Sequence, residues 1–144
     1  MIPVERERRA GDVIEAGLSG EKTWNVANEH LASRHGSGLV DVLATPALVA
    51  FCEETARALV DPRLPDGRTT VGTSIELRHL APTPPGMQIT VLAKLREVDG
   101  RRLRFDVEVR DEVEPIGRGT HERFIVDLDR FQRRIAEKSD SGGH

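Results

Sequence analysis

Residues 46–60 read PALVAFCEETARALV, and this stretch decides the fold. Pro46 suits the first position of a helix and disfavours helical geometry in the residue before it. The sequence therefore predicts a helix over 46–60 with Thr45 as its N-cap, the hydroxyl facing the free N–H groups of the first turn. Ala47, Leu48, Val49, Ala50, Phe51 and Cys52 make its first half apolar nearly all round, as in a helix enclosed by other structure. At ~100° per residue, Leu48, Val49, Cys52, Thr55, Ala56, Leu59 and Val60 form one broad stripe. Glu54 falls opposite the centre of that stripe, near Ala50, Arg57 and Asp61, and reads as an ordinary solvated carboxylate. Glu53 falls on its edge, near Val49, Ala56 and Val60. A carboxylate there is costly unless it is paired or functional.

What encloses the helix follows it in the chain. Four alternating segments, roughly 69–80, 87–98, 102–111 and 116–126, read as strands. Asp99-Gly100 joins the second to the third as a two-residue hairpin, so those two pair antiparallel. Glu114-Pro115 marks the next turn. Upstream, 13–26 holds an irregular strand interrupted by Gly17 and Gly20, with Trp24 anchoring it. Residues 27–44 hold a glycine-rich loop around Arg34-His35-Gly36-Ser37-Gly38. Residues 127–138 carry Leu128, Phe131 and Ile135 on one side and read as a short C-terminal helix. The fold class is α+β: one long central helix against a curved antiparallel sheet of about five strands. The expected organisation is a charged, flexible arm over 1–12, a single domain over 13–138 and a disordered polar tail over 139–144.

The first of the four strands runs into a second informative stretch, VGTSIELRHLAPTPPG at 71–86. Strict alternation puts Val71, Thr73, Ile75, Leu77 and His79 on one face, and Glu76 and Arg78 on the wet one. His79 thus ends a strand on its buried side. The residues alone allow a half-buried core histidine with a hydrogen-bond partner, or a catalytic or ligand-binding one where the strand leaves the core.

Composition narrows the field. Hydrophobic residues make up 38% and charged residues 31% of the 144, enough for one globular core. A net charge of −3, with arginines interleaved among acids, gives no nucleic-acid footprint. No apolar run approaches the ~20 residues of a membrane span, and the first residues have no apolar core of a secretory signal. The single cysteine, Cys52, excludes an internal disulfide and a Cys-rich metal site, so a cytoplasmic setting is expected. Cys52 lies on the apolar stripe and reads as a small buried hydrophobe. No metal-ligand set emerges, nor a G-x-S-x-G elbow or a dinucleotide fingerprint. His121, in THERF, reads as a structural strand residue.

The buried side of the helix and strand thus offers Thr45, Glu53 and His79. A hydroxyl for polarisation, a carboxylate as base or nucleophile and a histidine for proton transfer can together perform acyl chemistry. At this point the sequence resembles a known family. VLATPALVAFCEE (42–54), VGTSIELRHLAPTPPG (71–86), EVDGRRLRFDVEVRDE (97–112) and GRGTHERFIVD (117–127) are similar, in order, to the fluoroacetyl-CoA-thioesterase-like branch of the hotdog-fold thioesterases. The resemblance covers about residues 13–135. It implies a hotdog fold, a homodimer with acyl-thioester sites at the subunit interface, and no cofactor beyond coenzyme A as part of the substrate. By position it implies Thr45, Glu53 and His79 as the catalytic set. Gly72 would let the acyl group approach backbone, and Arg123 would be a substrate-positioning or structural residue.

One departure stands out. The fluoroacetyl-specific enzyme covers its acyl pocket with phenylalanines, whereas residues 27–44 here contain no Phe, Tyr or Trp. Leu39 and its neighbours are the apolar groups on offer there, and Arg34 with His35 are candidates for the CoA phosphates. The expectation is a general short-acyl-CoA thioesterase. Two other readings are weighed beside it: a hotdog enoyl-CoA hydratase, for which Asp41 is the one acid near the helix entry, and a CoA- or acyl-binding module without turnover.

Overall fold

The computed structural model describes residues 14–142; residues 1–13, including the proposed N-terminal arm, and the last two residues lie outside the described part. Five strands, β1 (Ser19–Asn25), β2 (Arg68–His79), β3 (Gln88–Asp99), β4 (Arg102–Arg110) and β5 (Pro115–Asp127), form one sheet in the order β1-β3-β4-β5-β2. Every neighbouring pair is antiparallel. The helices are a short α1 (Ala32–His35), the long α2 (Thr45–Val60) and the C-terminal α3 (Leu128–Gly142). The last helix runs beyond 138, so residues 139–142 are helical rather than part of a disordered tail; Ser141 Oγ donates to the Glu137 carbonyl within that final turn.

The sheet presents an apolar face to α2. Ile89, Val91, Ala93 and Leu95 alternate inward from β3, and Leu103, Phe105, Val107 and Val109 do so from β4. Leu48, Phe51, Cys52, Ala56 and Val60 meet them from the helix. Trp24 of β1 stacks on Phe51 with ring centroids 4.4 Å apart, which fastens the first strand over the helix as expected. The opposite face is charged: Arg104 reaches both Glu97 and Glu122, and Arg96 reaches Asp106. Such exposed pairs add ~0–1 kcal/mol each and serve mainly to keep that face in water. Gly119 of β5 lies opposite Leu77 of β2 with no room for a side chain. A Cβ there would collide with the Glu76 carbonyl oxygen and would sit 2.8 Å from Leu77 Cα, so only hydrogen fits.

One expectation about β2 is corrected. The strand is not evenly alternating, because its register on β5 shifts between Gly72 and Ser74. Thr73 is the extra residue of a bulge, and a bulge exchanges the faces of what precedes and follows it. Thr70 and Gly72 therefore point to the helix before it, and Ile75, Leu77 and His79 point there after it. Val71 is paired with Phe124 and stands on the outer face, not with His79.

Candidate active site

Two polar groupings line the helix side of β2. The first is at the α2 N-terminus. Thr45 does not cap the helix; Ala44, in extended geometry, occupies the cap position without a side-chain bond. The Thr45 hydroxyl is instead 2.8 Å from His79 Nδ1. Backbone bonds hold both partners in place: Leu43 N–H to the Thr83 carbonyl, Ala44 N–H to that of His30, and Leu80 N–H to that of Ile116. The three prolines after β2 thus form a strap against the loop that delivers Thr45. His79 Nε2 is shielded from solvent and has no hydrogen-bond partner. A buried polar atom left in this way costs ~1–3 kcal/mol. Burial also pushes the imidazole pKa below its ordinary value. The pair borders a cavity of about 440 Å³ whose far wall is the loop Ser37–Val40 with Val42. Leu39 is 97% exposed on that loop.

The second grouping lies two helical turns on. Glu53 is half-buried and faces Gly72, whereas Glu54 is exposed and pairs with Lys22 at 3.2 Å, the division that the helical face predicts. A Cβ placed on Gly72 would lie 3.1 Å from Glu53 Oε2 and 3.4 Å from both Arg123 Nη1 and His121 Cε1. Gly72 therefore keeps open a cleft with a carboxylate, a guanidinium and an imidazole as its walls. Arg123 is 6% exposed; its Nε donates to Thr70 Oγ1 and its Nη2 to the Thr70 carbonyl, at 2.8 and 3.0 Å. The Thr70 hydroxyl in turn donates a hydrogen bond to Asp61, which also accepts one from Thr69 and pairs with Arg57. Burial pulls the Arg123 pKa down, against the carboxylates of Asp61 and Glu53.

Thr45 and Glu53 are eight residues apart, about 12 Å along the helix axis. Thr45 and His79 come together in one chain, and Glu53, Gly72 and Arg123 come together in another place. Arg34 and His35 sit exposed on α1, His35 Nε2 lying 3.0 Å from the Glu29 carbonyl. Cys52 is fully buried and its thiol is pushed up to about 12, firstly by burial and then by Glu53, so it is inert packing as expected. Sequence reasoning missed the Thr70–Asp61–Arg123 network. Its signal was the alternation of His121, Arg123 and Ile125 along β5, which puts two polar side chains on the core face.

Known proteins resemble this chain along most of its length. Residues 26–129 match the family described as fluoroacetyl-CoA-specific thioesterase. A fluoroacetyl-CoA thioesterase of Streptantibioticus cattleyicolor is 40% identical over 102 residues, which are 71% of this chain and 73% of that protein. The chain belongs to this family. Among solved structures, the fluoroacetyl-CoA thioesterase FlK is 32% identical with a TM-score of 0.82, over 87% of this chain and 97% of that one. A variant of the family's FlK in complex with fluoroacetate and CoA superposes with a TM-score of 0.78 at 33% identity, over 82% and 99% of the two chains. A thioesterase-superfamily member from Thermus thermophilus is 29% identical with a TM-score of 0.80, over 89% and 97%. The family's hotdog architecture is thus the fold of this chain.

Proposed function

We propose that this chain hydrolyses short acyl-CoA thioesters to the free acid and CoA, as a homodimer with its two sites at the subunit boundary. The observation that carries the reading is the Thr45–His79 pair, with an unpartnered imidazole nitrogen, on the wall of the 440 Å³ cavity. Membership of a thioesterase family supports the same chemistry. In this reading the Thr45 hydroxyl polarises the thioester carbonyl, and Glu53 acts either as base, taking a proton from the water that adds to the carbonyl carbon, or as nucleophile, forming an acyl anhydride that water then cleaves. On either route the C–S bond breaks as the new C–O bond forms, and His79 moves a proton to the departing sulfur. Gly72 gives the acyl group access to backbone, Arg123 orients it, and Leu39 covers it. The CoA phosphates fall to Arg34 and His35. CoA enters as part of the substrate, and the single free cysteine suits a reducing cytoplasm; none of the described helices is long and apolar enough to cross a membrane.

The positions of these groups support the dimer. β2 is an edge strand, bonded to β5 on one side only. Gly72 and His79 are seven residues apart on it, roughly 20 Å. If two copies of β2 pair antiparallel about a two-fold axis at Glu76, Ile75 of each copy faces Leu77 of the other and, with Thr73 as the extra residue of the bulge, Gly72 faces His79. Glu53 of one protomer then meets the Thr45–His79 pair of its partner, completing a set that one chain holds in two halves.

The wall of the cavity sets the acyl preference. Leu39 and Val40 are 97% and 66% exposed, and the loop bends at Gly36 in the left-handed region, φ 69°. Fluoroacetyl and acetyl groups differ by less than a methylene, itself worth ~1–3 kcal/mol in a pocket. Without aromatic cover over 27–44, we expect modest preference for fluoroacetyl-CoA and tolerance of propionyl- and butyryl-CoA. The test is thiol release from these four substrates, compared as kcat/KM. A fluoroacetyl to acetyl ratio of many thousands overturns the specificity argument. Saturable binding with no thiol release, or hydration of an enoyl-CoA instead, overturns the thioesterase reading.

A further inference from the structure

His121 is a buried histidine beside Arg123 to which the proposed chemistry gives no part. It is 2% exposed, and its ring stacks on Phe105 with centroids 6.0 Å apart. Its two nitrogens have different partners. Nδ1 is 2.8 Å from the Ser74 carbonyl, and Nε2 is 3.2 Å from Arg123 Nη1. A carbonyl only accepts, so Nδ1 carries the proton. A guanidinium only donates, so Nε2 offers its lone pair. The two partners therefore fix one neutral tautomer, and a second ring proton would set N–H against N–H.

We infer that His121 is a positioning residue of the hydrolase: it holds the Arg123 guanidinium and the bulged turn of β2 so that Arg123, Glu53 and Gly72 share one cleft. Both ends of the imidazole serve this purpose. Ser74 is the residue directly after the bulge that turns Gly72 inward, so the Nδ1 bond pins the strand where its faces exchange. The Nε2 bond takes one hydrogen of Arg123 Nη1, while Thr70 takes Nε and one hydrogen of Nη2. Of five guanidinium hydrogens, three are thus committed and the fork cannot rotate. Nη1 keeps one hydrogen, on the nitrogen that stands 3.4 Å from the Cβ position of Gly72, for a group entering the cleft.

The groups facing the ring are Glu53 from α2, Ser74 from β2, Phe105 from β4 and Arg123 from β5, while Glu122 acts on it from the opposite face of the sheet. Burial holds the ring neutral; the Ser74 bond, Glu53 and Glu122 pull the other way, and Arg123 adds to burial, leaving its pKa below the ordinary value.

The inference rests on the thioesterase reading for its catalytic readout, and a second readout is independent of activity. Histidine labelled with ¹⁵N in the wild-type protein reports the tautomer directly. The expected result is a protonated Nδ1 and an unprotonated, hydrogen-bonded Nε2 for His121, with the Nε2 resonance displaced and the titration midpoint raised in Arg123→Gln. An Nε2–H tautomer, or a His121 signal indifferent to Arg123→Gln, overturns the inference whether or not the protein hydrolyses thioesters. His121→Phe keeps the ring volume and the stack on Phe105 while removing both bonds. Since a misplacement of 1 Å can cost 10²-fold, it should lower kcat by about tenfold or more with KM nearly unchanged. The double variant with Arg123→Gln should be no slower than Arg123→Gln alone. Losses that multiply would show that His121 acts apart from Arg123.

Discussion

Replacing Gly72 with alanine adds one methyl group to the cleft on which the second half of the site depends. Its Cβ would stand 3.1 Å from Glu53 Oε2, short of the ordinary 3.4–4 Å contact range, with Arg123 and His121 each at 3.4 Å on the other sides. The methyl is hemmed in on three sides, so the Glu53 carboxylate, the end of a flexible side chain, gives by a few tenths of an ångström. Crowding of this kind costs about 1–3 kcal/mol, and the loss of glycine's freedom in the unfolded chain returns about 0.4–1 kcal/mol. The net destabilisation is then about 0–2.5 kcal/mol, a fall in Tm of less than ~15 °C for a domain of this size. Catalysis is far more sensitive to the same displacement, and kcat/KM for acetyl-CoA should fall by about 10–100-fold. Thiol release measured beside thermal unfolding separates the two effects. Gly119→Ala provides the contrast: there the collision is with backbone of β2, which cannot swing aside, and the expected result is loss of the fold. Gly72→Ala with activity within twofold of the parent would refute the claim that the acyl group uses this cleft. A variant as unstable as Gly119→Ala would show that Gly72 serves packing alone.

Glu53→Ala and His79→Ala should each lower turnover by orders of magnitude with the fold intact. Glu54→Ala, which loses only the exposed pair with Lys22, should be nearly silent; equal damage from Glu54→Ala refutes the helical-face assignment. His79 and His121 both have folded pKa values below the ordinary 6.5. The unfolded chain therefore binds more protons below about pH 6.5, and stability, level above that pH, should decline as pH falls through it towards the folded values. A Tm that stays constant from pH 7 to 5.5 would contradict this, and His121→Phe should remove part of the decline. Sedimentation should give a dimer at working concentration. A monomer that still hydrolyses acyl-CoA would exclude a site assembled from two subunits.

Much of this protein is legible in one dimension because local physics decides it. The helix over Thr45–Val60 follows from Pro46 and an apolar stripe, and Asp99-Gly100 signals the β3–β4 hairpin, although its two loop residues are Gly100 and Arg101, with Asp99 paired to Arg102. The choice of Glu53 over Glu54 needs only the ~100° step of a helix. What tertiary structure alone decided is which polar atoms meet. Thr45 reads as a cap from sequence because a free first turn lies next to it. In the fold, His79 arrives from a strand 34 residues away and takes the hydroxyl instead. Alternation places Val71 beside His79, and the bulge at Thr73 undoes this because one extra residue inverts every face before it. Arg123 and His121 are two charged or polar letters in a strand until Thr70 and Ser74 of β2 are laid against them. Their partners are about 50 residues distant, so no local pattern encodes the match. Register across the sheet is a property of the whole chain, and the identity of this site resides in that register.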